Sequence, residues 1–470
     1  MTRIADPQFN FADIEFLTQG VELDPILKRM SDFLDHQPQI LERVRQDLQR
    51  GLKKPDTGRT AMTPTQVLRS LILMRVKNWD YRELSERIAD GYTLRRFTGF
   101  YSQRVPKHDA FHRAFNKLRP QTLQALNDSV LKAAVDLGLE DGKRLRVDTT
   151  VTETDIHHPT DNTLLWDVVR VLTRLIGRLG GLVPKGIEGF TNRTRSARRR
   201  MQEIQRMTAR QRHTQQKGKY RQLIGITQQV VHNARGVLEK TKDQYAVDPM
   251  DDIIIGELRR KIDHYCQLGA RVIDQSRRRV LQGEQVPTEE KIYSIFETHT
   301  DLIKRGKIQK PIEFGHKIFL AESARGLITQ YRVLEGNPCD HVHVKSSLQR
   351  HQETFGWAPA WYSSDRGFFS DENIKACQEV KLVCIPQRGG KRTSQRQAFE
   401  KSPEFKKGQR FRAGIEGRIS VLFRGRGMKR CLAEGRDRFE VLIGAAVLTN
   451  NLMNIAHLLN QKQKRLRRAA

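Results

Sequence analysis

From Asp24 to about Gly138 the apolar positions recur every three or four residues, the period of helices that bury one face. Thr63-Pro64-Thr65-Gln66 supplies an N-cap, a proline at the first helical position and a glutamine at the third. Val67, Leu68, Leu71, Ile72 and Val76 then follow on one stripe, so a helix is predicted. Asp80 with Glu83 repeats the start signal ahead of Leu84 and Ile88, giving a helix-turn-helix pair with its turn at Asn78 and Trp79. Further helices are expected over Asp109 to Leu118 and after Pro120.

The period changes to two at Lys143 to Asp148, where Leu145 and Val147 alternate with charged residues and Thr149 to Thr152 continues the β preference. Helical spacing resumes over a polar stretch from 161 to about 290, with Thr160 and Asp161 as its cap. Strand character returns at Ile312 to Leu320, turns at Ser323-Ala324-Arg325-Gly326 and continues over Leu327 to Leu334, a hairpin. Trp361 to Ser364 runs into Asp365, a helix is expected near Ser370, and Lys381 to Ile385 reads as a buried strand before Pro386. Gln387 to Gln409 reads as a mobile basic loop, and a last helical block carries Glu416 and then Val441 to Leu459. The fold class is α/β, a mixed sheet with a long helical insertion, preceded by an all-α segment. The domains expected are a helical part at 1–138, a sheet domain at 139–160 and 291–460, a basic helical insertion at 161–290 and a basic tail at 461–470.

Charge sharpens this picture. The 470 residues hold 84 Lys and Arg against 54 Asp and Glu, a surplus of 30, which points to a polyanionic partner. Residues 191–221 contain eleven Lys or Arg and one acid, Glu203, and include Arg198, Arg199 and Arg200. At that density one-signed charge repels itself unless something neutralises it. Residues 388–430 hold fourteen Lys or Arg against Glu400, Glu404 and Glu416. Arg95 and Arg96, interleaved with Phe97, Phe100 and Tyr101, offer either a DNA contact or the solvated loop of a helix pair. The five cysteines lack zinc or redox spacing, which predicts a reducing compartment without structural zinc. Asp6, Asp13 and Glu15 interrupt any leader-like start, and Thr449, Asn450, Asn451, Asn454 and His457 interrupt the most apolar late stretch, so no membrane span is expected.

In so basic a chain the carboxylates within the basic field are the informative residues. Asp148 is expected to end the first strand and Asp365 a later one, the edge at which α/β sheets place ligands, while Glu416 lies on a helix one turn after Arg412. Three such acids can meet at one point and supply the hard oxygen ligands that a pair of Mg²⁺ ions requires, and Mn²⁺ is accepted by the same oxygens. Taken singly, Asp148 reads equally as a turn cap, Asp365 with Arg366 as a local ion pair, and Glu416 with Arg412 as a helix pair. His157 and His158 on an extended segment point to opposite sides, which favours structural or substrate-contacting roles over metal ligation. His316-Lys317 reads either as a phosphate contact or as a solvated strand face.

The stretches from Arg146-Val-Asp148 to Leu165, from Tyr362-Ser-Ser-Asp365-Arg366-Gly367 to Asn373, and Arg412-Ala-Gly-Ile-Glu416-Gly-Arg418 resemble DDE transposases of bacterial insertion sequences, in the branch grouped as ISNCY and its relatives. The resemblance covers most of the chain. It implies an RNase H-like catalytic core in which Asp148, Asp365 and Glu416 hold the catalytic metals, and an N-terminal part that binds terminal repeats. It makes Arg412 a DNA contact near the cleaved phosphate and draws in Arg366, Arg418 and Arg424. The family pattern often has a Tyr three residues before that Arg and a Lys seven after the Glu, positions held here by Gln409 and Phe423, with Arg424 one place later. The implied activity is cleavage of double-stranded DNA at element ends and joining of the freed 3′-hydroxyl to a target. It implies a homo-oligomer assembled on DNA in the bacterial cytoplasm, at the nucleoid. A metal-dependent nuclease and a DNA-binding repressor without chemistry are the rival readings.

Overall fold

The structure is a computed structural model and describes residues 2–3, 10–20, 22–54, 57, 59–246, 248–304 and 311–469. The chain forms two compact units, one of residues 1–154 with 303–470 and one of residues 155–302. In the first, β1 (Thr2–Arg3) pairs in parallel with β2 (Arg59–Thr60) among eight helices: α1 (Phe11–Thr18), α2 (Pro25–Asp35), α3 (Pro38–Gln49), α4 (Pro64–Lys77), α5 (Tyr81–Asp90), α6 (Tyr92–Thr98), α7 (His108–Phe115) and α8 (Pro120–Asp136). β3 (Arg144–Thr154) follows, and then the second unit with α9 (Asp161–Leu182), α10 (Thr194–Gln205), α11 (Ala209–Thr241) and α12 (Pro249–Ser276). The chain returns through β4 (Asp301–Lys304), β5 (Ile312–Ser323), β6 (Ile328–Val333), α13 (Val344–Phe355), β7 (Trp361–Ser363), α14 (Asp371–Ala376) and β8 (Leu382–Cys384). It ends with α15 (Ser394–Lys401), α16 (Pro403–Gly425), β9 (Arg430–Cys431) and α17 (Arg436–Ala469).

The expected starts of α4 and α5 are realised in hydrogen bonds. Gln66 N donates to Thr63 Oγ1 at 3.2 Å while Thr63 N donates to Gln66 Oε1 at 3.0 Å, and Asp80 Oδ1 accepts from the amides of Arg82 and Glu83. Asn78 makes the turn between them at φ 56°, a conformation asparagine tolerates better than most residues. The N-terminal helices share their core with the C-terminus: Met30, Val44, Ile72, Phe97 and Leu126 cluster with Leu448, Leu452 and Ile455 of α17. By length and apolarity α17 alone among the described helices is able to cross a membrane, but 72% of its apolar window is buried inside the protein. Its apolarity serves a core.

The seven-stranded sheet has the order β4-β5-β3-β7-β8, with β6 also on β5 and β9 on β3. β3 is antiparallel to β5 and parallel to β7, β7 is parallel to β8, and β5 and β6 form the expected hairpin. Period-two alternation sends successive residues of β5 to opposite faces. Ile318 and Leu320 pack with Ile415, Leu422, Phe439 and Ile443 of α16 and α17, while Phe319 and Ala321 join Leu145, Val147, Val344 and Tyr362. Because Leu145 and Val147 take the second face, Arg146 and Asp148 are turned toward α16.

Two expectations are corrected, and one helix is added to them. Asp148 lies inside β3 rather than at its end, because pairing with β5 continues through Glu153. α13 was not expected: its buried positions Val344, Ser347, His351 and Phe355 have helical spacing, but Ser and His among them mask the apolar stripe. Gln387 to Gln409 is largely helical instead of a loop. Thr393 Oγ1 caps α15, accepting from Arg396 N at 3.2 Å, and Ser402 with Pro403 starts α16; the charge of the stretch obscured both signals.

In the second unit, α9 opens after Thr160 as expected, with Thr160 N donating to Thr163 Oγ1 at 3.1 Å. Leu165, Val168, Leu172 and Ile176 of α9 pack against Leu223, Val231, Ile262 and Val272 of α11 and α12.

Candidate active site

Asp148 and Asp365 stand at the same level of neighbouring parallel strands. The pairing of Leu145 with Tyr362 and Arg146 with Ser363, continued by two residues, sets Asp365 opposite Asp148 just past the end of β7. Each carboxylate is held by a nearby amide: Thr149 N donates to Asp148 Oδ1 at 2.7 Å, and Gly367 N donates to Asp365 Oδ1 at 2.8 Å. α16 brings the third acid. It approaches closely because Gly408 faces β8: a Cβ there would lie 2.1 Å from Cys384 Sγ and 2.8 Å from its Cβ, so no larger residue fits. Gln409, where the resembled pattern has Tyr, fixes the helix further by donating to the carbonyls of Ser364 and Cys384 at 3.2 and 2.7 Å.

Arg412 joins two of the three acids. Its Nη2 donates to Asp148 Oδ2 at 3.1 Å and its Nη1 to Glu416 Oε1 at 2.8 Å, while its Nε is buried without a hydrogen-bond partner. Burial pushes the Asp148 carboxyl up to about 6; Arg412 opposes that rise, and the negative charges of Asp365 and Asp340 add to it. Asp340 is the acid the sequence did not single out. It follows the β5–β6 hairpin, accepts from Thr149 Oγ1 at 2.8 Å and pairs with Lys317 Nζ at 2.7 Å. A Cβ on Gly367 would sit 2.9 Å from Asp340 Oδ2 and 3.0 Å from Asp365 Oδ1, so both carboxylates crowd that glycine. No motif spacing ties Asp340 to the other acids; only the sheet does. Among the described residues no group of three or more His, Cys, Asp or Glu side chains stands arranged to hold a metal ion.

The basic residues divide by environment. Arg366, next to Asp365, and Arg424, near the end of α16, are exposed. Arg418 is turned inward, donating to Glu322 Oε1 at 2.8 Å and to Asn450 Oδ1 at 3.1 Å, and Arg146 holds the other oxygen of that fully buried acid. Arg95 ties down the loop after α6 by donating to the carbonyls of Tyr101 and Gln103, both at 2.7 Å, and Arg96 beside it is half-buried. Lys317 is committed to Asp340 and to the Pro338 carbonyl rather than standing on a solvated face. In the second unit Arg199, Arg200 and Lys219 converge on Glu203, whose carboxyl they hold down at about 2. Arg198 stays exposed and lines, with Arg195, Arg199 and Trp166, a cleft of about 420 Å³. His157 bonds Asp167 Oδ2 at 2.7 Å, a structural partner.

Residues 15–117, the N-terminal helices from within α1 through α7, match the family model described as Transposase domain (DUF772). That match supports a transposase. It implies DNA as a partner. Comparison with curated proteins and with solved structures finds no match.

Proposed function

We propose that the chain is a DDE-type DNA transposase, which binds the inverted terminal repeats of its insertion sequence, cleaves phosphodiester bonds with water and joins the freed 3′-hydroxyl to target DNA. One observation carries the reading: Arg412 bridges Asp148 and Glu416, and Asp365 lies close enough to Asp148 to raise its carboxyl, in a chain whose N-terminal helices match a transposase domain. The sheet supports an RNase H-like core, since β6, β5 and β3 run antiparallel in that order and β3, β7 and β8 run parallel.

The chemistry of the donors, though not yet their arrangement around one point, suits a hard divalent cation. All three side chains offer carboxylate oxygens, two of them already bind a cationic group, and that group leaves its own Nε unsatisfied. Asp148, Asp365 and Glu416 would hold Mg²⁺ or Mn²⁺, which when bound supplies water activation and charge neutralisation at the scissile phosphate. The amides of Thr149 and Gly367 orient the two aspartates by taking one oxygen of each. Exposed Arg366 beside Asp365 and exposed Arg424 two turns beyond Glu416 on α16 would attract the DNA backbone, as would Arg195 and Arg198 on the second unit. Joining two element ends calls for a homo-oligomer assembled on DNA, acting at the bacterial nucleoid.

The test is an in vitro reaction of the full-length protein with a labelled duplex carrying the element's end, with Mg²⁺ or EDTA, comparing wild type with Asp365→Asn. Metal-dependent cleavage and joined product, both lost in the variant, support the transposase. Cleavage without joining makes it a nuclease, and binding without chemistry in either protein makes it a DNA-binding protein only.

A further inference from the structure

Arg412 is the residue whose placement the proposed chemistry leaves unexplained. A contact to DNA alone would be served by a side chain pointing to solvent, as exposed Lys406 and Arg410 on the same helix do. Arg412 instead turns back over the acid site and spans from Asp148 to Glu416. Its side chain is only 19% exposed, whereas the Glu416 side chain that it bridges is 64% exposed. A guanidinium and a divalent cation compete for the same carboxylate oxygens, and the positive charge of the one weakens the hold of the other. The fit is incomplete, because the buried Nε of Arg412 has no acceptor; a group left so has a reason to move when a better anion arrives.

DNA supplies that anion. Phosphate offers a guanidinium the same forked recognition that a carboxylate does, and the exposed side of α16, with Lys406, Lys407, Arg410 and Arg424, is where a DNA backbone would be drawn. The bridge from Arg412 to Glu416 lies within one helical turn, so rotation about side-chain bonds suffices to exchange Glu416 and Asp148 for a phosphate.

We propose that Arg412 is a resident counter-ion that closes the acid site in the free protein, and that a DNA phosphate draws it away, so that divalent-cation binding is coupled to DNA binding. This rests on the reading of Asp148, Asp365 and Glu416 as cation ligands. The coupling is reciprocal: DNA tightens cation binding, and the cation tightens DNA binding by the same factor. Its consequence is a nuclease centre that stays unloaded until substrate is in place.

The experiment measures Mn²⁺ binding by electron paramagnetic resonance on the full-length protein, with and without a 30-base-pair duplex, for wild type, Arg412→Gln, Arg412→Lys and Arg412→Gln combined with Asp148→Asn. The expected result is weak Mn²⁺ binding by the free wild type that the duplex tightens at least about tenfold, a coupling of ordinary size. Free Arg412→Gln should bind Mn²⁺ at least that much more tightly than free wild type, and the duplex should add little. Arg412→Lys keeps the charge but cannot span both acids, and should fall between; it also serves should the Gln variant fail to fold. If Mn²⁺ binding is lost with Asp148→Asn yet is the same in wild type and both Arg412 variants, Arg412 is an ordinary ion pair and this proposal alone fails. If no Mn²⁺ binding depends on Asp148 in any protein, with or without the duplex, the acid-site reading itself falls and takes this proposal with it.

Discussion

Lys317 on β5 reaches Asp340 with its ammonium 2.7 Å from Oδ1, and the same carboxylate oxygen accepts from Thr149 on β3. The pair fastens the segment that follows the hairpin to the two central strands, one residue from Asp148. Lys317 and Asp340 side chains are 11% and 23% exposed, so the ammonium depends on its partner far more than a surface lysine does.

Asp340→Asn should therefore destabilise the protein by on the order of 3 kcal/mol at most, because it takes the counter-charge from a mostly buried ammonium that keeps the Pro338 carbonyl. The double variant Lys317→Met with Asp340→Leu should recover most of the loss. Chemical denaturation of the three proteins checks this; a double variant no more stable than Asp340→Asn would contradict it.

Asp148 gives a pH signature. Its carboxyl rises from 3.8 to about 6 on folding, so the folded protein holds that proton more tightly than the unfolded chain, and ionisation costs stability. The cost is absent below about pH 4, grows between 4 and 6 and is constant above. Asp148→Asn should match wild-type stability at pH 4 and exceed it at pH 8 by on the order of 3 kcal/mol, while abolishing cleavage. Thermal melts of both proteins across that range are the check, and a gap that shrinks as pH rises would have the wrong sign.

Gly408→Val should displace α16 from the sheet, since even a Cβ would meet Cys384. Overpacking of this kind costs about 1 to 3 kcal/mol. Because the same helix carries Arg412 and Glu416, cleavage should fall more steeply than stability accounts for at a temperature where the variant remains folded. Gly417→Ala, a helix position with open space around it, is the control and should leave cleavage unchanged while raising stability by about 0.5 to 1 kcal/mol.

On the second unit, Arg195→Ala with Arg198→Ala removes two guanidiniums of the cleft beside Trp166. If both meet phosphates, the slope of log affinity against log salt should fall by about 2, with little change in preference among duplex sequences. Unchanged slope in a filter-binding titration would assign DNA binding elsewhere.

The sequence determined more than element types. Periodicity and start signals specified α4, α5, α8 and α9 and the β5–β6 hairpin, because capping and alternation act within a few residues. Residue type and local motif singled out Asp148, Asp365 and Glu416. Tertiary structure decided the rest. That Asp148 sits within a strand yet level with the end of its neighbour follows from pairing with β5 and β7, partners more than 160 residues away. Asp340 and Lys317 carry no local pattern that links them to the acids, and they join the site because two strands and a hairpin exit are laid side by side. Arg412 looks from sequence like one half of a helix pair with Glu416. Its second bond, to Asp148, exists only because α16 crosses β3 on the face that strand alternation assigned to that aspartate.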